Sequence, residues 1–534
     1  MLSVRMSDVI PPTIYSQGRL YAPEEPEATA LVVRNGQIDY VGSDEGARSF
    51  ASGAPEVDLG GRLVTPAFVD AHVHTIQTGQ VMNGLDLSTA SDRADVLDAV
   101  ARFARTHPDR KLIVGQGWDE RYWPDPRPPL RAELDRAGGG AAVYLARVDV
   151  HSAIVSTALL DQIPGVADQP GFCPDGPVTR DAHHLCRSAT DRLFTDAERR
   201  ADARTALNRA AQVGIGCVHE LGGPHLGPQE DLLRVQQVGS QVGVDIVCYW
   251  GELADDQSVV DAAIRVNARG LAGDLCVDGA IGSHTAALFE PYSDSDGLGN
   301  RYLDVDQISR HVSACTRAGL QAGFHCIGDD AVAATVDGFR RAAATVGEGR
   351  VRQAGHRLEH VEMIDTAGIR VLARLGVMAS MQPAFDMAWG APGELYEQRL
   401  GHRAASMNRL ATLHRAGVGL AFGSDSPVTP LAGWETVRAA THHSNTVERL
   451  DVPTAFAAAT FGAARAGQDH HLGMLTVGAR ANVSIWQPFA DQRPDGLPTL
   501  EDELPVCAAT VARGRAIYSD GSIDGFPFTA SDDG

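Results

Sequence analysis

Leu63 to His74 reads LVTPAFVDAHVH, an apolar run that closes on Asp70-Ala-His72-Val-His74. Residues two apart on a strand face the same way, so Asp70 and both imidazoles share one face at the strand's C-terminal end. Seven comparable runs follow: GIGCVHELG from Gly214, VDIVCYWGE from Val244, DLCVDGAIG from Asp274, QAGFHCIG from Gln321, GHRLEHVE from Gly355, GVMASMQPAF from Gly376 and GLAFGSDSP from Gly419. Helical periodicity between them predicts βα units and a parallel sheet. Eight such strands predict an α/β fold of the (β/α)8 TIM-like barrel type, whose chemistry sits at the C-terminal strand ends.

The connection after the first strand is anomalous, because about 140 residues separate it from the second, far beyond an ordinary βα loop. Residues 80–211 are therefore read as an inserted cap with strands of its own, KLIVGQGWD and AAVYLARVD. Before Leu63, the runs TIYSQGRLYA, TALVVRNGQIDYVG and VDLGGRLVTP are punctuated by NG and GG turn signals. GMLTVGARANVSIWQP and CAATVARGRAIYSDG repeat that texture after Leu472. The two ends, 1–62 and 473–534, are expected to form one small β-sandwich domain, leaving 63–472 as the barrel.

A length of 534 residues with 44% hydrophobic content supplies a large core and excludes disordered and low-complexity classes. Lys and Arg number 46 against 68 Asp and Glu, a net charge of −22, which argues against nucleic acid or an anionic membrane as partner. Eight cysteines with no CxxC pair read as reduced thiols. MLSVRMSDVIPP at the N-terminus lacks the apolar region of a secretion signal, and no run reaches ~18 apolar residues. A cytoplasmic protein acting on a small molecule is the expectation, with a homodimer as a common assembly for large soluble enzymes.

His325 in GFHCIGD, His360 in RLEHVE and Asp425 in FGSDSP also fall at strand ends, so four imidazoles and a carboxylate converge on one face. Imidazole suits zinc and other divalent metals. Singly, each histidine reads as a hydrogen-bonded structural residue and Asp425 as a helix cap; jointly they read as a metal centre. Asp278 stands open between a turn residue beside Gly279 and a further ligand. Trp118, Tyr122, Trp123, Trp250 and Trp389 read as pocket wall or as core. His219-Glu-Leu-Gly-Gly lacks the second histidine of HExxH, neither GxSxG nor GxxxxGKS occurs, and His442 and His443 read as a solvated helix face.

Together with GQGWDERYWP, LARVDVHSAIVSTALL, VDGAIGSHTAALFEPYSD and HLGMLTVGARANVSIW, these segments resemble the amidohydrolase superfamily and, within it, the amidohydrolase-3 or YtcJ-like group, which includes N-substituted formamide deformylases. The resemblance implies His72, His74, His325 and His360 as metal ligands, Asp425 as ligand and catalytic base, and one or two divalent ions, zinc foremost. Many relatives carry a lysine carbamate bridging two metals where this chain has Asp274. At ~3.3 Å per residue along a strand, Asp274 would lie about 13 Å below residue 278, out of reach of the centre. That leaves a single ion without a bridge, or Asp278 or another carboxylate in the bridging role.

Trp118-Asp119-Glu120 and Arg147-Val-Asp149-Val-His151 resemble segments that approach the site, so Trp118, Asp119 and His151 are candidate substrate contacts, as is His284 after the fourth strand. Val150 and Ser156 depart from the expected Gly and Asn. The implied activity is metal-dependent hydrolysis of a non-peptide C–N bond in an amide, N-substituted formamide or cyclic amide, by metal-activated water with Asp425 as general base. Two alternatives stand beside it: a mononuclear deaminase of an aminated ring, and a non-catalytic barrel serving as a binding module.

Overall fold

The LVTPAFVDAHVH run divides at Ala67. Leu63–Pro66 pairs antiparallel with Val483–Trp486, whereas Phe68–Val73 pairs parallel with Ile215–Gly222. Proline has no N–H to continue a ladder, and the Ala67 N–H turns instead to the Asn482 carbonyl at 2.9 Å. One apolar run thus feeds two sheets. The computed structural model from which this follows describes residues 12–120, 123–148 and 152–527.

Contacts divide the chain into two compact units, Met1–His74 with Leu207–Gly534, and Thr75–Ala206. In the larger unit the parallel strands form two curled sheets in an α/β arrangement. Gln321–Ala322, Gly270–Leu271, Asp245–Trp250, Ile215–Gly222 and Phe68–Val73 are neighbours in that order. His325–Cys326, Arg357–His360, Met378–Met381 and Leu420–Phe422 make the second sheet. Parallel bridges tie Cys276 to His325 and Val73 to Ser426. The strand expected from Asp274 is shorter and earlier: its ladder is Gly270–Leu271, bends follow, and only Cys276 bridges beyond them.

Both chain ends contribute to a further five-stranded sheet, ordered Arg19–Leu20, Leu63–Pro66, Val483–Trp486, Cys507–Ala512 and Arg515–Ser519. A four-stranded sheet, ordered Gln37–Gly42, Ala30–Arg34, Thr13–Ser16 and Glu56–Asp58, shares its apolar core through Leu31, Val33, Leu59, Val64, Ile485 and Val511. Where Phe68 enters the parallel sheet, its ring meets Trp434, Phe456 and Trp486 at 5.1, 5.4 and 5.8 Å between centroids. Gly433 is required there, since a Cβ would stand 2.1 Å from the Phe68 ring.

The smaller unit has its own sheet, ordered Val178–Thr179, Ser152–Val155, Ala142–Arg147, Leu112–Trp118 and Leu85–Asp86. Arg93–Thr106 and Arg131–Gly138 supply Val96, Val100 and Leu134 to the core on one face. Ala182, Cys186 and Ala189 of Arg180–Leu193 pack on the other. Among the described residues no helix is long and apolar enough to cross a membrane.

Two buried histidines clamp the strands that lead to His325. His311 accepts the Ala254 N–H at Nδ1 (3.0 Å) and donates from Nε2 to the Leu271 carbonyl (2.9 Å). His356 accepts the Ala322 N–H at Nδ1 (2.8 Å), with Thr316 Oγ1 2.9 Å from its Nε2. Burial pushes His311 down to about 4, and burial with the nearby His311 pushes His356 down to about 3. In the unfolded chain both titrate near ~6.5, so below that pH the unfolded state binds protons the fold excludes. Their contribution is full above pH ~6.5 and declines as pH falls toward ~4, by up to ~1.4 kcal/mol per unit for each group. His356→Gln should flatten the loss of urea midpoint between those pH values; a slope equal to the parent's would exclude His356 as its source.

Candidate functional site

His72 and His74 end the Phe68–Val73 strand, and Asp425 follows Leu420–Phe422. The two segments are clipped together below the side chains. Asp70 Oδ1 accepts the Ser424 N–H at 2.9 Å and the His72 N–H at 3.2 Å. The Asp425 N–H donates to the His72 carbonyl at 2.8 Å, and the His74 N–H to the Ser426 carbonyl at 2.9 Å. His325 opens its short strand and His360 closes Arg357–His360. His360, Val361 and Asp425 hold left-handed φ values of 68°, 52° and 54°. Each such non-glycine conformation costs about 1–3 kcal/mol and persists where the surroundings over-determine it.

The side chains meet. Asp425 Oδ1 lies 3.3 Å from His72 Nε2 and 3.1 Å from His74 Nε2. Asp274 Oδ1 lies 3.4 Å from His72 Nε2 and 4.0 Å from His325 Nδ1, while its Oδ2 lies 3.3 Å from His74 Nε2. The His360 ring is 4.4 Å from that of His325 and 5.1 Å from that of His72. Two groups of donor atoms result, His72 with His74 and Asp425, and His72 with Asp274 and His360, each within 4.8 Å.

Burial opposes charge on His72, His74, Asp274, Asp425 and His360, yet the attraction between the first four wins. Asp274 and Asp425 raise His74 to about 10 and lift His72 well above the histidine range. In return the two imidazoles hold Asp425 and Asp274 below the carboxylate range. His360 goes the other way, pushed down to about 3 by burial and by His325 and His72. The centre is therefore a largely buried anionic pair, Asp274 retaining 12% side-chain exposure, that demands positive charge.

Behind His72 stands a second buried pair. Its Nδ1 is 3.0 Å from Glu359 Oε2, and Glu359 takes Arg357 Nε at 2.6 Å and Nη2 at 2.8 Å. Arg357 also reaches the Ala71 carbonyl at 2.6 Å, Ser380 Oγ at 2.8 Å and His219 Nδ1 at 2.9 Å. Burial opposes charge on Glu359, but Arg357 and His72 hold it down at about 2. Nδ1–H of His74 donates to the Leu221 carbonyl at 2.9 Å, and that of His360 to Gln382 Oε1 at 2.8 Å. All three rings are thereby set with Nε2 toward the centre. His72 Nε2 and Asp274 Oδ1 are buried without a hydrogen bond of ordinary geometry. Imidazole nitrogens fixed by their far sides, carboxylates and unmet donors fit a divalent cation.

Three sequence expectations are corrected, for Asp274, Trp118 and His443, and the open reading of Asp278 is decided. Asp274 belongs to the cluster, because the chain from Gly273 to Val277 is bent and not an extended strand rising ~3.3 Å per residue. Asp278 does not join it: its carboxylate accepts the N–H groups of Ala287, Ile327 and Gly328 at 2.8–3.0 Å and staples a loop. Trp118 is 1% exposed and donates Nε1–H to the Leu145 carbonyl, as a core residue of the smaller unit. His443 is buried, its Nε2 2.9 Å from the Asn408 carbonyl.

Asp119 pairs with Arg147 at 3.1 Å. His284 pairs with Asp294 at 2.9 Å and packs on Tyr292. His151 and Tyr122 lie outside the described residues. Trp123 and Trp250 are buried, and their indole N–H groups donate to the Ala90 carbonyl and Glu252. Arg357, Glu359 and Gln382 were not expected from the sequence. The available signal was RLEH itself, two charges in an otherwise apolar buried strand, which requires an internal ion pair.

The family described as "Amidohydrolase family" matches residues 55–518. The chain is 26% identical to the putative amidohydrolase YtcJ of Bacillus subtilis (strain 168), over 78% of this chain and 81% of that one. It is 23% identical to the N-substituted formamide deformylase of Arthrobacter pascens, over 86% and 90% respectively. Among solved structures, an uncharacterized metal-dependent hydrolase from Pyrococcus furiosus superposes with a TM-score of 0.74 at 24% identity, over 89% of this chain and 98% of that one, and carries the likeness of fold. With a match that spans both the parallel sheets and the clustered histidines, the chain belongs to the amidohydrolase family.

Proposed function

We propose that the chain is a metal-dependent hydrolase of a non-peptide C–N bond, with an amide, N-substituted formamide or cyclic amide as substrate. The observation that carries this reading is the meeting of His72, His74, His360, Asp274 and Asp425 in one buried cluster whose imidazoles are oriented from behind. The formamide activity is taken from the Arthrobacter relative, and the parallel sheets are read as one eight-stranded barrel in 63–472 with 80–211 as an inserted cap and the ends as a β-domain. His72, His74, His325, His360 and Asp425 are the proposed ligands of a divalent cation, zinc foremost.

Such an ion supplies Lewis acidity, bringing the pKa of water toward ~7 and polarising a carbonyl. Asp425 is ionised at neutral pH because burial is outweighed by His72 and His74. It is the group able to take a proton from attacking water and return it to the departing nitrogen. Its backbone is fixed on His72 through the Asp425 N–H, so base and ligands keep one register. Glu359, locked by Arg357, holds the Nδ1 proton of His72, so that an ion displacing the proton from Nε2 would find that nitrogen already oriented.

Formate or amine release from a panel of N-substituted formamides and cyclic amides, with zinc content measured in the same preparation, tests the reading. Asp425→Asn should lower kcat by about 10²–10⁴ while the protein still holds metal. Unchanged turnover would remove Asp425 as base, ammonia release from an aminated ring would favour a deaminase, and a chain without affinity for divalent ions would leave a binding module. Glu359→Gln preserves shape but not charge, and should weaken zinc about 10–100-fold in chelator competition. Equal affinity would mean that Glu359 serves only the fold.

A further inference from the structure

We propose that Glu362, with the rings of Phe385, Trp389 and Tyr396, forms a subsite for a positively charged ammonium arm of the substrate. The proposal rests on the hydrolase reading above and deepens it by naming a substrate class, an amide or formamide whose nitrogen substituent ends in a primary amine. Glu362 follows the Arg357–His360 strand, Phe385 and Trp389 lie on the helix Pro383–Trp389, and Tyr396 lies on Leu395–Leu400. The Phe385 ring stands 6.0 Å from that of His360 with 11° between the planes, Trp389 stands 4.9 Å from Phe385, and Tyr396 stands 6.1 Å from Trp389. An aromatic row therefore leads from the proposed metal centre to a half-buried indole, with Met387 of the same helix 49% exposed.

Three unmet polar atoms gather at the Tyr396 end of that row. Glu362 Oε2, Tyr396 Oη and Asn408 Nδ2 are buried and make no hydrogen bond of ordinary geometry. The Tyr396 hydroxyl nevertheless lies against the Glu362 carboxyl on one side and the Asn408 side chain on the other. A buried polar group without a partner costs free energy, so three such groups in one place call for an occupant that meets them.

Charge selects the occupant. Glu359 is matched by Arg357, whereas among the described residues no cationic side chain pairs with Glu362, and Asp278, Asp425 and Asp386 add to the negative field around it. A primary ammonium brings three N–H donors and a positive charge, and the faces of aromatic rings attract it. Glu362 is two residues beyond His360, a span of at most ~7 Å along the chain, so an arm of about four carbons reaches it from a bond held at the centre. The competing occupant is an ordered water, which meets the same polar atoms and confers no preference for charge.

The test has a binding arm and a turnover arm, both on the full zinc-loaded chain near neutral pH. Calorimetry compares n-pentylammonium with 1-pentanol, and kcat/KM compares N-(4-aminobutyl)formamide with N-pentylformamide. The ammonium probe should bind about 10–100-fold more tightly than the alcohol, with a similar preference in kcat/KM. Glu362→Gln, shown by circular dichroism and zinc content to be folded and loaded, should bring both ratios toward one. Trp389→Leu leaves the carboxylate in place and should lower the ammonium preference about 2–10-fold. If the Gln variant does not fold, the parent ratios and Trp389→Leu decide. A parent that binds the two probes alike, or a folded Gln variant with the parental preference, overturns the subsite in favour of water, and cleavage of N-pentylformamide then leaves the hydrolase reading intact. Ammonium preference without cleavage of any formamide or cyclic amide overturns the hydrolase reading and keeps the subsite.

Discussion

Two carboxylates sit among imidazoles at the C-terminal strand ends, largely shielded from water, and this charge problem governs what the surrounding structure does. Asp274 and Asp425 are held ionised by His72 and His74, which in turn carry protons against the cost of burial. Protons and a divalent ion compete for the same nitrogens, because imidazole ligates metal only when its lone pair is free. The arrangement is therefore a store of negative charge that either protons or a cation satisfies.

Keeping the cluster in place has a structural cost that is met at a distance. His360, Val361 and Asp425 sit in left-handed backbone, and a complete ion pair, Arg357 with Glu359, is taken out of water beneath His72. A buried pair is weak support for stability and strongly destabilising when only one partner is lost. Arg357 is consequently saturated: Glu359, the Ala71 carbonyl, Ser380 and His219 receive its donors, and the Tyr249 ring lies 4.7 Å from its guanidinium carbon. The Phe68, Trp434, Phe456 and Trp486 rings pack where the same strand begins, so the element that carries His72 is anchored by apolar burial at one end and presents polar groups at the other.

Much of this was legible in the chain. HxH closing an apolar strand, and GFHC, RLEH and FGSD closing others, place chemistry at strand ends because βα units put it there. Asp274 was misjudged for a physical reason: strand spacing was assumed for a segment that bends after Leu271, and a bend shortens the distance a side chain must span. Asp278 was ambiguous because an aspartate beside glycine suits a turn or a ligand equally, and three backbone N–H groups settle it as a loop staple. Glu359 escaped because its partner His72 lies 287 positions away, a separation no local pattern encodes. Trp118 escaped in the opposite sense, since an aromatic in a pocket wall and one in a core look alike until burial is known.

The two histidines of HxH are chemically unequal despite their identical spacing. His72 donates Nδ1–H to a carboxylate that is itself locked by Arg357, whereas His74 donates to the Leu221 carbonyl. A charged acceptor draws the Nδ1 proton more strongly than a neutral one and makes the opposite nitrogen the better donor. In the proposed metal site His72 would thus be the tighter ligand and His74 the more exchangeable one. The pairing of a locked histidine with a looser one follows from a single buried glutamate, two residues after an arginine on a strand far along the chain.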